Sequence, residues 1–268
     1  MTRFSLRCLL FAAFAALLAG CASKPPATPA APEPPPPAKQ AEVSPQYRAQ
    51  LHTDLGAGYY ERGQMEIALA ELNESLTLDP NNAKTYNIMG LVYTVLRDEP
   101  KAEQSFQRAL VLAPQDSDVR GNWGWYLCTH GRARESIAEF EQAIRNPLYR
   151  TPEVALINAA ACSASLGDTR NAETYYRRAL SVSANNPAAA YGLAQLTYKE
   201  ARLEEARNLM KIVMLQTGPA PEALYLGVCI ERKLGDRASE TAYAAQLRNR
   251  YPDSPEAKVI ASTGPVCE

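Results

Sequence analysis

The chain has 268 residues, with 28 basic and 29 acidic side chains and only two histidines. Its near-neutral charge, without a basic block interleaved with aromatic residues, argues against nucleic-acid binding. The histidine shortage, with no metal-ligand spacing, phosphate-binding glycine loop or nucleophile elbow, argues against an enzyme with a cofactor, a metal or a small-molecule substrate.

The amino terminus, residues 1–20, has the pattern of a secretory signal peptide. Arg3 and Arg7 precede an apolar run at residues 9–18, which is too short to span a bilayer comfortably. The four residues that end at Cys21 resemble a bacterial lipoprotein processing site. That resemblance implies that Cys21 becomes the first mature residue and carries acyl chains, which anchor a protein durably. The alternative is an ordinary cleaved signal with an incidental cysteine.

Two features follow the cleavage site. Ala22, rather than aspartate, comes after the cysteine, which in such lipoproteins favours export to the outer membrane. Residues 21–45 then carry nine prolines and few large apolar side chains, so they predict a polyproline-like spacer rather than a core. At about 3.1 Å per residue it would reach on the order of 60 to 70 Å from the membrane surface.

Residues 46–256 contain a repeat of about 34 residues. One landmark recurs where a helix is expected to end and turn into the next helix. Its copies are Gly63, Arg97, Gly131, Gly167, Ala201 and Gly235. The period predicts an all-α, right-handed superhelical solenoid of about six helix-turn-helix units, resembling the tetratricopeptide repeat (TPR). The one longer interval is assigned to an insertion at residues 147–152, and residues 257–268 are assigned to a carboxyl-terminal tail.

Small residues within each unit predict close approach of its two helices. Gly56, Gly90 and Gly124 recur at the same phase of the first helix. Because first helices are expected to line the concave side of such a solenoid, that side is the candidate partner-binding groove. Its predicted residues are Tyr60, Asn87, Leu91, Thr94, Trp125, Tyr191 and Tyr198. The alternative for each aromatic residue is packing against a neighbouring repeat.

Helix phase separates the two tryptophans. Trp123 and Trp125 lie two residues apart, about 200° around a helix, so they cannot face the same way. Trp123 occupies the expected core position, and Trp125 is therefore predicted to project into the groove, where an exposed aromatic ring can anchor a partner.

Four cysteines remain after Cys8 and Cys21 are set aside. Cys128 and Cys162 lie one repeat apart on neighbouring first helices, a spacing that permits either a disulfide or two buried thiols. Cys229 and Cys267 would pair only if the tail folds back over the last repeat. The sequence leaves that second pairing open.

The residues around the third and fourth repeats, with the lipoprotein-like start, resemble the PilW/PilF family of type IV pilus biogenesis lipoproteins. The resemblance is carried by residues 122–128, the insertion at 147–152, and residues 158–162. It implies an outer-membrane pilotin that faces the periplasm, binds the pilus secretin, promotes its localisation and multimerisation, and supports twitching motility. It also implies a disulfide between Cys128 and Cys162. The alternative function is a periplasmic TPR adaptor for outer-membrane protein assembly or murein enzymes.

Overall fold

A computed structural model describes residues 44–267, and the regular elements in this part of the chain are all helices. The predicted signal peptide, Cys21 and nearly all of the Pro-rich spacer lie outside the described residues. Within the described part, no helix is both long and apolar enough to cross a membrane.

Within residues 44–267, twelve helices form six antiparallel pairs and a thirteenth follows them, as expected for a TPR solenoid. The first helices of the pairs are α1 Pro45–Glu61, α3 Ala83–Val95, α5 Ser117–Thr129, α7 Pro152–Ser165, α9 Pro187–Lys199 and α11 Pro221–Leu234. The second helices are α2 Met65–Leu78, α4 Glu99–Leu112, α6 Ala133–Ile144, α8 Thr169–Val182, α10 Leu203–Met214 and α12 Arg237–Arg250. The last helix is α13 Pro255–Ser262.

Helix α13 crosses the predicted boundary between repeats and tail. The sequence assigned the tail to residues 257–268, but the terminal element begins at Pro255, because the Ser254 side chain caps a new helix there. Ala257 of this helix is buried together with Leu224 and Leu247 of the last repeat. The helix therefore covers the end of the solenoid.

The landmark residue of every repeat adopts the left-handed backbone that a helix stop favours. Its φ lies between 58° and 78° in all six copies. Four copies are glycine, which adopts this conformation readily, but Arg97 and Ala201 carry a Cβ and are strained there. The predicted turn is thus confirmed even where its usual residue is missing.

One glycine in each of the first three repeats lies where the two helices of the repeat touch. A Cβ added to Gly56 or Gly90 would lie 2.7 Å from the side chain of Leu72 or Phe106, and one on Gly124 would lie 2.9 Å from Phe140. These distances are shorter than van der Waals contact, so only glycine fits beside these fully buried side chains.

Contacts between repeats explain the curvature of the solenoid. Each first helix contacts the next first helix, from α1 with α3 to α9 with α11. Among the described residues, by contrast, no Cα atom of a second helix lies within 8 Å of a Cα atom in the next second helix, and only long side chains such as Arg177 and Glu205 reach across. The first helices therefore follow the shorter, inner arc, and their free faces form the concave surface.

Candidate partner-binding groove

The amino-terminal half of the concave surface carries two large apolar side chains one repeat apart. Leu91 on α3 and Trp125 on α5 are both partly exposed. Both pack against the buried cluster that contains Phe106 and Trp123. Their positions are fixed from below by the core, while part of each side chain remains accessible.

Trp123 belongs to that core. It is only 6% exposed, and its ring stacks on Tyr126 with centroids 5.4 Å apart. The two tryptophans thus differ in exposure, as their separation around the helix requires.

Tyr60 and Thr94 are also partly exposed. Tyr60 packs against the buried cluster around Leu72 and Ile88, and this burial raises the pKa of its phenol. Thr94 donates its hydroxyl hydrogen to the carbonyl of Gly90 at 2.7 Å, so its hydroxyl can only accept a hydrogen bond from a partner.

Two predicted groove residues are buried and do not project from the surface. Asn87 is 6% exposed, and its Oδ1 accepts a hydrogen bond from Nδ2 of Asn122 on the next first helix, at 3.2 Å. Tyr198 is 9% exposed. Both were predicted to project into the groove, but most of each side chain is covered, and helix phase cannot give that depth.

The structure brings Tyr191 and Tyr198 together in the carboxyl-terminal half of the groove. Both line a cavity of about 350 Å³ between α9 and α11, with Gln195 from the same face of α9. Burial raises the pKa of Tyr191, and the negative charges of Glu222 and Glu256 raise it further.

Sequence reasoning missed the acidic and tail residues of this cavity. Glu222 and Tyr225 on α11, Glu256 on α13 and Val266 in the tail complete its wall. Tyr225 lies 34 residues after Tyr191, so the repeat period could have found it. No periodic signal points to Glu256, because α13 lies beyond the last repeat.

All four described cysteines are paired. The disulfide between Cys128 and Cys162 links α5 to α7 with Cα atoms 5.9 Å apart, between the positions that the family resemblance named. The disulfide between Cys229 and Cys267 ties the tail to α11, with Cα atoms 5.3 Å apart. The tail does fold back over the last repeat.

Hydrogen bonds between side chains of α11 and the tail backbone hold the same tail in place. The Tyr225 hydroxyl donates to the carbonyl of Val266 and accepts from its amide, both at 2.9 Å. Arg232 donates to the carbonyl of Pro265 at 2.9 Å. The tail therefore has a defined path along α11.

Both histidines have structural partners. His52 Nδ1 lies 2.7 Å from a carboxylate oxygen of Glu71. His130 ends α5, where its Nδ1 lies 2.8 Å from the carbonyl of Tyr126. In the described part of the chain, no three His, Cys, Asp or Glu side chains are grouped closely enough to hold a metal ion.

Comparison with known proteins agrees with this architecture. The tetratricopeptide repeat family matches residues 64–217, and the chain therefore belongs to that family, whose members typically act as scaffolds for protein interactions. The type IV pilus assembly protein PilF of Pseudomonas aeruginosa is 26% identical over 205 residues, which are 76% of this chain and 81% of that protein. Within the TPR family, the chain is a homologue of the type IV pilus biogenesis proteins PilF and PilW.

Two solved structures give the same result. The crystal structure of PilW, described as a widely conserved type IV pilus biogenesis factor, has a TM-score of 0.72 and 29% identity. The match covers 80% of this chain and 98% of PilW. The structure of Pseudomonas aeruginosa PilF has a TM-score of 0.75 and 25% identity, covering 81% of this chain and 98% of PilF.

Proposed function

We propose that this protein is an outer-membrane lipoprotein that binds the secretin of a type IV pilus and promotes its localisation and multimerisation. The similarity to PilF and PilW over most of the chain is the observation that carries the proposal. The protein acts by binding a protein partner, as TPR proteins typically do, and it does not catalyse a reaction.

The concave surface of the early and middle repeats supports this function. Leu91 and Trp125 lie one repeat apart, and each combines a core-packed base with an accessible edge. Partly exposed apolar anchors held by a rigid core suit the recognition of an extended or helical segment, because little side-chain entropy is lost on binding. Tyr60 extends the same surface toward the amino terminus.

The groove is tested by replacing Tyr60, Leu91 and Trp125 together with alanine in a strain whose own copy is deleted. Secretin multimers on immunoblots and twitching motility should both fall. The matched control replaces Val111 and Val182 with alanine. These two residues are 72% and 52% exposed on second helices, and their replacement should leave both readouts unchanged. Circular dichroism verifies that each variant is folded. Normal multimers and motility in the folded triple variant would contradict the role of the groove.

The lipid anchor is tested separately. Labelled palmitate should be incorporated into the wild-type protein and not into the Cys21→Ser variant. The variant should no longer be recovered in the outer-membrane fraction, although its repeats should remain folded. A pull-down from outer membranes that recovers murein enzymes or barrel-assembly components, and no secretin, would favour the adaptor function instead.

A further inference from the structure

The cavity between α9, α11 and the tail has the chemistry of a binding site. Tyr198 lines it and is 9% exposed, and its hydroxyl has no hydrogen-bond partner in the described part of the chain. Glu256 also lines it, with a buried carboxylate oxygen that is equally unpartnered among the described residues. Leaving two such atoms buried and unpaired is costly, which points to a group that pairs with them on binding.

The side chains of the wall define the charge of that group. Glu222 and Glu256 contribute two carboxylates, and none of the lining residues is Lys, Arg or His. The two carboxylates only accept hydrogen bonds, and the hydroxyl and amide oxygens can accept them as well, so the wall suits a ligand that donates. An anion would meet the negative charges of Glu222 and Glu256.

Aromatic rings add a second attraction for a cation. Tyr191, Tyr198 and Tyr225 all contribute to the wall. Lys233, which does not line the cavity, already places its ammonium nitrogen 4.5 Å from the centroid of the Tyr198 ring. The aromatic surface of this site therefore accepts a positive charge, as the quadrupole of a phenol ring predicts.

We propose that this cavity binds the ammonium or guanidinium group of a basic side chain on a partner polypeptide. Its volume of about 350 Å³ suits one long side chain, and most of its wall comes from α9 and α11, which are among the first helices that form the concave surface. This inference extends the proposed groove to its carboxyl-terminal end and rests on the proposal that the concave surface binds protein. It does not depend on the identity of the partner.

The tail wall gives the site a further dependence. Val266 and Cys267 line the cavity and are held by the disulfide to Cys229. When both cysteines are replaced by serine, the tail part of the wall is expected to become more mobile, and binding of the basic side chain is expected to weaken. The disulfide between Cys128 and Cys162 is distant from the cavity, so its loss should leave binding unchanged.

The test is a titration of the isotope-labelled full chain in detergent with acetyl-Ala-Ala-Lys-Ala-Ala-amide, followed by amide chemical shifts. Shifts should cluster in residues 191–198, 222–229 and 256–267, and a peptide with norleucine in place of lysine should cause none. Butylamine, which carries the ammonium group without a peptide, should bind more weakly than the lysine peptide. Equal binding of the norleucine peptide would overturn the proposal, and equal binding of butylamine would overturn a polypeptide as the source of the cation.

Two substitutions give the sharpest outcomes. Glu222→Gln should weaken the lysine peptide about tenfold, because a charge-assisted hydrogen bond is lost. Glu74→Gln, which removes the same charge at an exposed position on α2, should have no effect.

Tyr198→Phe should also weaken binding of the lysine peptide. The free energy of unfolding should stay equal or rise, because an unpaired buried hydroxyl is removed. Identical affinity in Glu222→Gln and Glu74→Gln would overturn the site, yet leave the early-repeat test of the proposed function standing.

Discussion

The first three and the last three repeats solve the same packing problem with different residues. Where the two helices of a repeat come closest, the first three place glycine beside a large side chain. The last three use a larger residue at the same phase, although the sixth repeat has Gly227 one position earlier, where an added Cβ would lie 3.1 Å from the ring of Tyr243. The pairs in chain order are Gly56 with Leu72, Gly90 with Phe106, Gly124 with Phe140, Ala160 with Tyr176, Ala194 with Met210, and Val228 with Ala244.

In every pair one helix carries a small residue, Gly or Ala, and the identity of neither residue is fixed. The sixth repeat reverses the order, with the larger residue on the first helix. All members of these pairs are buried, so each pair fills its interface. A close-packed interior tolerates such exchanges when total volume is kept.

The largest expected effect on the free energy of unfolding comes from the disulfide that links the first three repeats to the last three. The disulfide between Cys128 and Cys162 links the third repeat to the fourth across a sequence separation of 34 residues. The double variant Cys128→Ser/Cys162→Ser should lower the free energy of unfolding by about 2–4 kcal/mol, since the unfolded chain is no longer constrained. Urea denaturation followed by circular dichroism measures the loss.

The second disulfide is the control for this prediction. It closes a similar separation of 38 residues, but it holds only a short tail. The variant Cys229→Ser/Cys267→Ser should lose about 1 kcal/mol, because the released tail regains freedom in the native state, and this offsets part of the cost. Faster amide exchange should be confined to the tail and the residues beneath it. Equal losses in the two variants would mean that loop length alone decides.

A smaller effect tests the packing difference itself. Gly124→Ala should lower the free energy of unfolding by about 1–3 kcal/mol, because the new methyl group overlaps Phe140. Adding Phe140→Leu should recover part of that loss in a double-mutant cycle, as the paired volume is restored toward its original value.

Gly58 supplies a matched control on the first helix. A Cβ at Gly58 would meet no atom within 4 Å. Gly58→Ala should therefore stabilise the protein by about 0.5–1 kcal/mol through helix propensity. If Gly58→Ala and Gly124→Ala shift the thermal midpoint in the same direction, the close approach has been misassigned.

The smallest effect concerns the turns, which the two halves share. Arg97 in the first half and Ala201 in the second adopt φ values of 59° and 58°. Replacing either with glycine should stabilise the protein by about 0.5–1 kcal/mol, because relief of Cβ strain exceeds the added entropy of the unfolded chain. The measurement is again urea denaturation. Arg62→Gly, at a position with φ of −86°, should be destabilising instead.

The period made the fold predictable from the sequence. The turns at Arg97 and Ala201 were found by position alone, since their residue types do not suggest a left-handed backbone. The difference in exposure between Trp123, which is buried, and Trp125, which is partly exposed, followed from helix geometry. These features are local or repeat at a fixed spacing, and both kinds can be read along a chain.

The groove was less predictable because it depends on contacts between repeats. Asn87 is covered through its hydrogen bond to Asn122 on the next first helix, and Tyr198 is covered where α9 meets α11. The path of the tail and the position of Glu256 in the cavity wall depend on residues that follow the sixth repeat. No periodicity constrains such residues, so only the folded chain reveals which cavity they enter.

The nearest-neighbour contacts of this solenoid also determine how it loosens. Each pair of helices touches only adjacent pairs, so fraying that starts at one end can advance one step at a time. The carboxyl-terminal end is clasped by α13 and a covalent bond, whereas α1 is the outermost helix at the other end of the described residues. Fraying should therefore begin at the amino-terminal hairpin and stall at the bond between α5 and α7. We therefore expect the repeats before the Cys128–Cys162 disulfide to unfold locally more readily than the repeats after it.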